Sequence, residues 1–239
     1  MRMAEQALAS VALPSWELVL ATGLAALLVA ATGFVSRGTW SRRVLFTAHV
    51  LSTIVHESGH AASAIVTGGG VYLIKVTSPD GGHTIPWHPS WFSSVVGAFA
   101  GYAAPPLAGL GIAALLAEGK VRPALVLTVV AMVLVLVVSR GLLTVSSVAA
   151  VGFVAFAALY WGPVEAQLLV AYTEAWLLLL CELAGVWVLV TARIRGRGSD
   201  SDDAAHLARK TAVPSSVWIL AWLTLNSWAI WVAVPLLWP

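Results

Sequence analysis

The stretch of sequence that decides the fold runs from residue 44 to residue 67 and reads VLFTAHVLSTIVHESGHAASAIVT. Between Arg43 and Lys75 the only charged side chain is that of Glu57. A helix needs about 20 predominantly apolar residues to cross the hydrocarbon core of a bilayer. We therefore expect this stretch to form a membrane-spanning helix that carries one acidic side chain within it.

The same scarcity of charge extends over the whole chain. Of its 239 residues, 59% are hydrophobic and only 10% are charged, whereas a soluble domain carries roughly 25% charged residues. The chain thus lacks the polar side chains to cover a water-facing surface, which argues against a soluble globular enzyme. Its single cysteine, Cys181, excludes a disulfide framework and a multi-cysteine zinc site. The net charge of +2 gives no indication of a nucleic-acid partner.

The gaps between charges predict an all-α, multi-pass membrane protein with about seven transmembrane helices. The predicted spans lie near 16–35, 44–67, 92–117, 122–138, 142–161, 164–191 and 214–236. The fourth span is short, and a six-span alternative makes it a half-helix or a re-entrant segment. We expect one membrane-embedded domain over residues 1–239. The sequence leaves the oligomeric state open.

The basic residues indicate an orientation, because cytoplasmic loops carry an excess of lysine and arginine. With the N-terminus inside, eight basic residues lie in inside segments and five in outside segments, so we expect that topology. The inside residues are Arg2, Lys75, Arg140, Arg193, Arg195, Arg197, Arg209 and Lys210, and the outside residues are Arg37, Arg42, Arg43, Lys120 and Arg122. The tryptophans near span ends, which fit an interfacial aromatic belt, are Trp16, Trp40, Trp87, Trp91, Trp161 and Trp238.

Two segments are too polar to be spans. Residues 68–90 open with three glycines, continue in a strand-like run and reach the turn sequence Pro79-Asp80-Gly81-Gly82. This pattern predicts a small β-hairpin at the membrane face, after the second span. Residues 193–213 are the most polar part of the chain, and there we expect a loop over 195–203 and a short helix over 204–210.

The second span contains His56-Glu57-Ser58-Gly59-His60, an H-E-x-x-H sequence. On a helix, positions i and i+4 share one face, so both imidazoles can bind one Zn²⁺, with Glu57 placed to act as general base. Ionisable side chains inside a membrane span are costly and usually functional. The alternative interpretation is a buried polar cluster that only joins helices together.

A further histidine, His49, lies seven residues before His56 on the same helical stripe. A rise of 1.5 Å per residue separates the two by about 10 Å, too far to share an ion. We therefore favour an interhelical hydrogen bond for His49 over a place in a polar path.

A catalytic zinc takes three protein ligands and keeps one position open, so the third ligand must come from elsewhere in the chain. Exposure on the hairpin would also account for His83 and His88 without a metal. Charge pairing within the helix bundle would likewise account for Glu174 and Glu182. The residues that remain open as the third ligand are Asp80, His83, His88, Glu174, Glu182, Asp200, Asp202, Asp203 and His206.

An H-E-x-x-H in an early span, followed by a glycine-rich turn and a hairpin, resembles the site-2 protease family of intramembrane zinc metallopeptidases. The similarity is to its short bacterial and plant branch, which consists of little more than the membrane core. It covers about residues 45–225 of this chain. The weaker matches, in order, are Thr67-Gly68-Gly69 with the strand after it, Gly81-Gly82, Gly101-Tyr102, Asp202-Asp203-Ala204, Leu207-Ala208, Thr211, Pro214 and Trp218.

The chain departs from the larger family in one respect. That family takes its third zinc ligand from an L-D-G motif in a later span, and the only D-G here is Asp80-Gly81 in the predicted hairpin. The match of Asp202-Asp203-Ala204 to the S-D-A sequence of the short branch implies Asp203 as the third ligand, with Asp202 next. The alternative is that these acidic residues form a solvated loop that balances nearby arginines.

The resemblance implies hydrolysis of peptide bonds in a transmembrane protein substrate, within the lipid bilayer. Zn²⁺ would be held by His56, His60 and Asp203, and Glu57 would be the general base. The hairpin would pair with the unwound substrate by strand addition, or would only shield the site from water. The implied location is a bacterial cell membrane, in which the chain is an integral, multi-pass protein.

Two other classes of function remain open from the sequence. One is a membrane metal hydrolase that acts on a lipid or on a prenylated peptide. The other is a non-catalytic transporter or scaffold, in which the histidines and Glu57 serve transport or packing. Transporters are often built from repeated halves, and the sequence has no internal repeat.

Overall fold

The computed structural model describes residues 14–32, 47–196 and 198–239. These form eight helices and one two-stranded sheet. In chain order they are α1 (Trp16–Ala31), α2 (Val50–Val66), β1 (Gly70–Ser78), β2 (Gly81–Trp87), α3 (Trp91–Ala117), α4 (Val121–Val138), α5 (Leu142–Tyr160), α6 (Val164–Ile194), α7 (Asp203–Thr211) and α8 (Ser215–Leu237).

Within the described ranges, five helices are long and apolar enough to cross a membrane, namely α3, α4, α5, α6 and α8. They coincide with the last five predicted spans. The short fourth span is a continuous helix of 18 residues with the highest mean hydropathy of the five, so it needs no half-helix interpretation. The described parts of the first two spans, α1 and α2, have only 16 and 17 residues. The total of seven spans therefore stays a prediction.

Some sequence predictions fall outside the described residues. They concern Arg2, Arg37, Trp40, Arg42, Arg43 and Arg197, together with the ends of the first two spans at 33–35 and 44–46. The orientation that depends on five of these basic residues stays a prediction. The other tryptophans named for an aromatic belt, Trp16, Trp87, Trp91, Trp161 and Trp238, are all exposed near the ends of helices or strands.

The predicted hairpin is present as the antiparallel pair β1 and β2, joined by a turn at Pro79 and Asp80. Apolar side chains on β1 hold it against the helices, since Ile74 and Val76 are almost fully buried. The outer edge of β1 is bonded to the connection between α4 and α5 and to the first turn of α5. There the Arg140 amide donates to the Ile74 carbonyl at 2.9 Å, and the Val76 amide donates to Thr144 Oγ1 at 2.9 Å. The hairpin is thus fixed along β1.

Helices α2 and α3 pack unusually close to one another. A Cβ added at Gly59 of α2 would lie 2.6 Å from the Ala100 carbonyl oxygen and 2.7 Å from the Ala104 Cβ, both on α3. Only a glycine allows this approach without displacing the backbone. The close packing brings the α3 backbone next to the histidine-bearing face of α2.

Helix α6 carries three buried polar side chains, Gln167, Glu174 and Glu182, among its apolar residues. Its 31 residues correspond to about 46 Å at 1.5 Å per residue. This exceeds the roughly 30 Å hydrocarbon core, so α6 reaches beyond it.

The short amphipathic helix α7 corresponds to the helix predicted over 204–210, and it begins at Asp203. Two contacts set where it starts. The side chain of Asp202 caps it by accepting from the Ala205 amide at 2.9 Å, and the same carboxylate pairs with Arg193 at the end of α6 at 2.6 Å. On its apolar side, Ala204 and Leu207 are fully buried in a cluster with Trp222 of α8. Helix α7 is therefore anchored to α6 and α8 at one end of the bundle.

Candidate metal centre

Three side chains that lie far apart in the sequence converge on one point. His56 and His60 come from successive turns of α2, and Asp203 is the first residue of α7. The two Nε2 atoms are 3.2 Å apart, and Asp203 Oδ2 lies 3.3 Å from His56 Nε2 and 3.4 Å from His60 Nε2. The three candidate ligand atoms thus form a nearly equilateral triangle.

The outer nitrogens of both imidazoles are already engaged. His60 Nδ1 lies 2.8 Å from the Gly97 carbonyl oxygen, and His56 Nδ1 lies 2.9 Å from Glu182 Oε1. Since a carbonyl oxygen can only accept, Nδ1 of His60 donates, and the Glu182 carboxylate draws the same tautomer from His56. In the neutral imidazoles both Nε2 atoms therefore present lone pairs toward Asp203. Three such acceptors at this distance repel one another unless a proton or a metal ion lies between them.

The spacing of the triangle fits zinc. Bonds of 2.0–2.1 Å at tetrahedral angles place neighbouring ligand atoms about 3.3–3.4 Å apart. The separations here are 3.2, 3.3 and 3.4 Å. Two imidazole nitrogens and one carboxylate oxygen are also ligands that zinc accepts in catalytic sites. The residues present therefore fit this ion.

Helix α3 leaves space beside the triangle. A Cβ added at Gly101 would lie 2.5 Å from His60 Nε2 and 2.6 Å from His56 Nε2. The neighbouring Tyr102 packs its ring edge-on against His56, with centroids 4.5 Å apart. The Gly101-Tyr102 pair thus has two roles, since Gly101 leaves room next to the candidate ligand atoms and Tyr102 supports one imidazole.

Glu57 lies beside the triangle and under the hairpin. Its side chain is buried, with 4% of the residue exposed, and its Oε2 accepts from Thr84 Oγ1 of β2 at 2.7 Å. A Cβ added at Gly82 would lie 2.9 Å from Glu57 Cγ and Oε1. Glycine at position 82 therefore allows the hairpin backbone to cover this carboxylate closely.

The electrostatics of Asp203 favour a cation. Burial raises the pKa of its carboxyl, but when His56 and His60 are protonated their hydrogen bonds and charge outweigh burial and hold the pKa below its ordinary value. Asp203 is consequently ionised at neutral pH, which is the form that binds a metal. The neighbouring Asp202 pairs with Arg193 and caps α7. The pairing with an arginine that the alternative expected therefore holds for Asp202, whereas Asp203 belongs to the triangle.

The two glutamates of α6 that remained open as ligands have different surroundings. Glu182 bonds the outer nitrogen of His56, and thus lies behind an imidazole of the triangle. Glu174 accepts from Thr128 of α4 at 2.9 Å and is not part of the cluster. The sequence interpretation as charge partners within the bundle fits Glu182, which faces an imidazole, whereas the partner of Glu174 is a neutral hydroxyl.

The remaining candidates from the sequence also lie outside the triangle. Asp80 accepts from Ser78 at the hairpin turn, Asp200 is exposed, and His83 is exposed on β2 opposite Lys75. His49 Nε2 lies 2.9 Å from the Val29 carbonyl oxygen of α1, which agrees with the interhelical hydrogen bond predicted for it.

A cavity of about 550 Å³ adjoins the triangle, and its lining includes Glu57, β2 residues, Tyr102 and α7 residues. His88 and His206 also line it. Burial, followed by the neighbouring His206 and His60, lowers the pKa of His88. Burial, followed by Lys210 and Arg209, lowers the pKa of His206. At neutral pH both are therefore neutral imidazoles that can donate or accept a hydrogen bond.

Sequence reasoning missed two residues that shape this site. Ser52 donates to Glu182 at 2.6 Å, and Thr84 bonds Glu57. The position of Ser52, one helical turn before His56, is a signal that the sequence offered. The pairing of Thr84 with Glu57 depends on how the hairpin folds back, and no local pattern indicates it.

The comparison with protein families agrees with this geometry. The model of the family described as Peptidase M50B-like matches residues 16–233, which is most of the chain. Neither the curated proteins nor the solved structures include a significant match. The matched region contains the H-E-x-x-H motif, Asp203, four of the five long apolar helices in full and α8 except its last four residues. The chain is therefore an integral membrane protein that belongs to the Peptidase M50B-like metallopeptidases of the site-2 protease family.

Proposed function

We propose that this protein is an intramembrane zinc metalloprotease that hydrolyses peptide bonds of membrane-spanning substrates. The observation that carries the proposal is the convergence of His56, His60 and Asp203 next to Glu57, on a helix embedded in an apolar bundle. His56, His60 and Asp203 would hold the ion. When bound, zinc polarises the scissile carbonyl and lowers the pKa of a water molecule to about 7.

Glu57 acts first as the general base and then as the general acid of this reaction. Its carboxylate accepts a proton from the attacking water and returns it to the leaving nitrogen, so that this group departs as an amine and not as an amide anion. The hydrogen bond from Thr84 holds one carboxylate oxygen in place. This orientation leaves the other oxygen, Oε1, for the water.

The substrate binds as an extended segment, because the peptide bonds of a helix are shielded by the helix itself. The outer edge of β1 is already bonded near Ser139 and Arg140. Residues 81–84 of β2 line the cavity. We therefore assign strand addition of the substrate to β2, which brings its backbone next to Glu57.

The test is cleavage by the purified, zinc-loaded protein in lipid vesicles. A peptide substrate with a transmembrane segment should be cut, a chelator should stop the reaction, and added zinc should restore it. A lipid ester and a prenylated peptide are the controls for the rival hydrolase. Hydrolysis of either control without cleavage of the transmembrane peptide would refute the proposed substrate class. Zinc binding with no hydrolysis of any of the three would favour the non-catalytic alternative.

A further inference from the structure

We infer that Glu182 is a positioning residue of the metal centre, which orients His56 and strengthens its Nε2 as a ligand by accepting from Nδ1. The inference rests on the proposed function, since it concerns the same zinc site. Its starting point is an asymmetry between the two histidines. His60 is held by a neutral backbone carbonyl, whereas His56 is held by a buried carboxylate from another helix.

Two side chains on one face of α2 each bond one oxygen of the Glu182 carboxylate. Its Oε1 lies 2.9 Å from His56 Nδ1, and its Oε2 accepts from Ser52 Oγ at 2.6 Å. Ser52 and His56 are four residues apart and therefore neighbours on the helix surface. With both oxygens engaged, the carboxylate has one orientation, and it fixes Nδ1 of His56 as the protonated nitrogen.

The burial of the Glu182 carboxylate in an apolar environment is costly unless another interaction compensates for it. Only 5% of Glu182 is exposed, and it lies in an apolar helix where an ionised side chain is costly. An ion bound to His56 through Nε2 would place positive charge on the far side of the same imidazole, and its attraction offsets part of the cost of burying this carboxylate.

Glu174 provides a matched comparison within the same helix. It is also a buried glutamate of α6, with 6% exposed, and it also accepts a hydroxyl hydrogen bond, from Thr128. Its partner is a side chain of α4 that lies outside the candidate metal cluster. If removal of any buried carboxylate from α6 disturbs the protein, substitutions at Glu174 and Glu182 should have the same effect. If Glu182 positions His56, only its substitution should lower the zinc affinity.

The experiment compares Glu182→Gln with Glu174→Gln in the full-length protein, by competition for zinc with a chelator. Outer partners of metal-bound histidines contribute about 10- to 100-fold in metal affinity. Glu182→Gln should lose affinity in that range, Glu174→Gln should keep the wild-type affinity, and saturating zinc should return most of the cleavage activity of Glu182→Gln. Equal zinc affinity in Glu182→Gln and the wild type, or equal losses in both variants, would overturn the inference.

A measurement on the wild-type protein does not depend on the folding of a variant. With ¹⁵N-labelled histidine, nuclear magnetic resonance of the zinc-loaded protein should show His56 protonated at Nδ1 and bound to the metal through Nε2. Metal binding through Nδ1 would contradict the role of Glu182 while leaving a zinc enzyme intact. A wild-type protein that binds zinc but cleaves no substrate would instead refute the proposed function alone.

Discussion

Replacing Glu57 with glutamine should abolish cleavage of a transmembrane substrate while the protein keeps its zinc and its fold. Glutamine has nearly the same size as glutamate, so it preserves the packing against Gly82 and can still accept the hydrogen bond from Thr84. It cannot accept the proton of the attacking water. General acid–base catalysis by a positioned side chain contributes about 10²–10⁴-fold to the rate, and the expected loss is in that range or larger.

The control for this prediction is the same substitution at an exposed carboxylate. Glu165 lies in the first turn of α6 and is exposed, so Glu165→Gln should leave the rate unchanged. The measurement is the rate of product formation with both variants loaded with one equivalent of zinc. A Glu57→Gln protein that cleaves at the wild-type rate would exclude Glu57 as the general base.

Replacing Asp203 with alanine should remove the third ligand and with it most of the zinc affinity. The carboxylate is ionised and lies 3.3 and 3.4 Å from the two Nε2 atoms, and no other carboxylate in the described residues joins them within the cluster. The loss should exceed the roughly 10- to 100-fold effect expected for an outer partner such as Glu182. Chelator competition on the purified variant measures it directly.

Asp202→Ala is the matched control, because it removes the neighbouring carboxylate. This variant loses the helix cap and the ion pair with Arg193, and loss of a cap costs about 0.5–2 kcal/mol of stability. We expect a lower unfolding temperature and a smaller loss of zinc affinity than in Asp203→Ala. Should Asp203→Ala bind zinc like the wild type while Asp202→Ala does not, the roles of the two residues are reversed.

The parts of the site that could be predicted from the sequence are those set by local geometry. The four-residue spacing of His56 and His60 places both on one helix face by helical periodicity alone, and the glycine-rich turns indicated the hairpin. Long apolar gaps between charges marked the five helices that can span a membrane. The same scarcity of charge reduced the candidates for the third ligand to a few residues.

The contacts that bring Asp203 and Glu182 to the histidines of α2 depend on tertiary packing. Asp203 was one of several open candidates, and only the resemblance to a family singled it out, since no periodicity relates it to α2. Glu182 was visible as an acidic residue in a span, but its partner His56 is 126 residues away in the chain. Nothing local distinguished it from Glu174, which has the same residue type and similar burial on the same helix. The difference arises from which neighbouring helix each one faces.

The zinc content of the purified protein tests the central claim most directly. Elemental analysis of the wild type, Glu57→Gln, His56→Ala and His60→Ala, purified side by side, separates ligands from the general base. We predict one equivalent of zinc in the wild type and in Glu57→Gln, and none in the two alanine variants. A wild-type protein without zinc, or alanine variants that retain a full equivalent, would contradict a metal centre built on His56, His60 and Asp203.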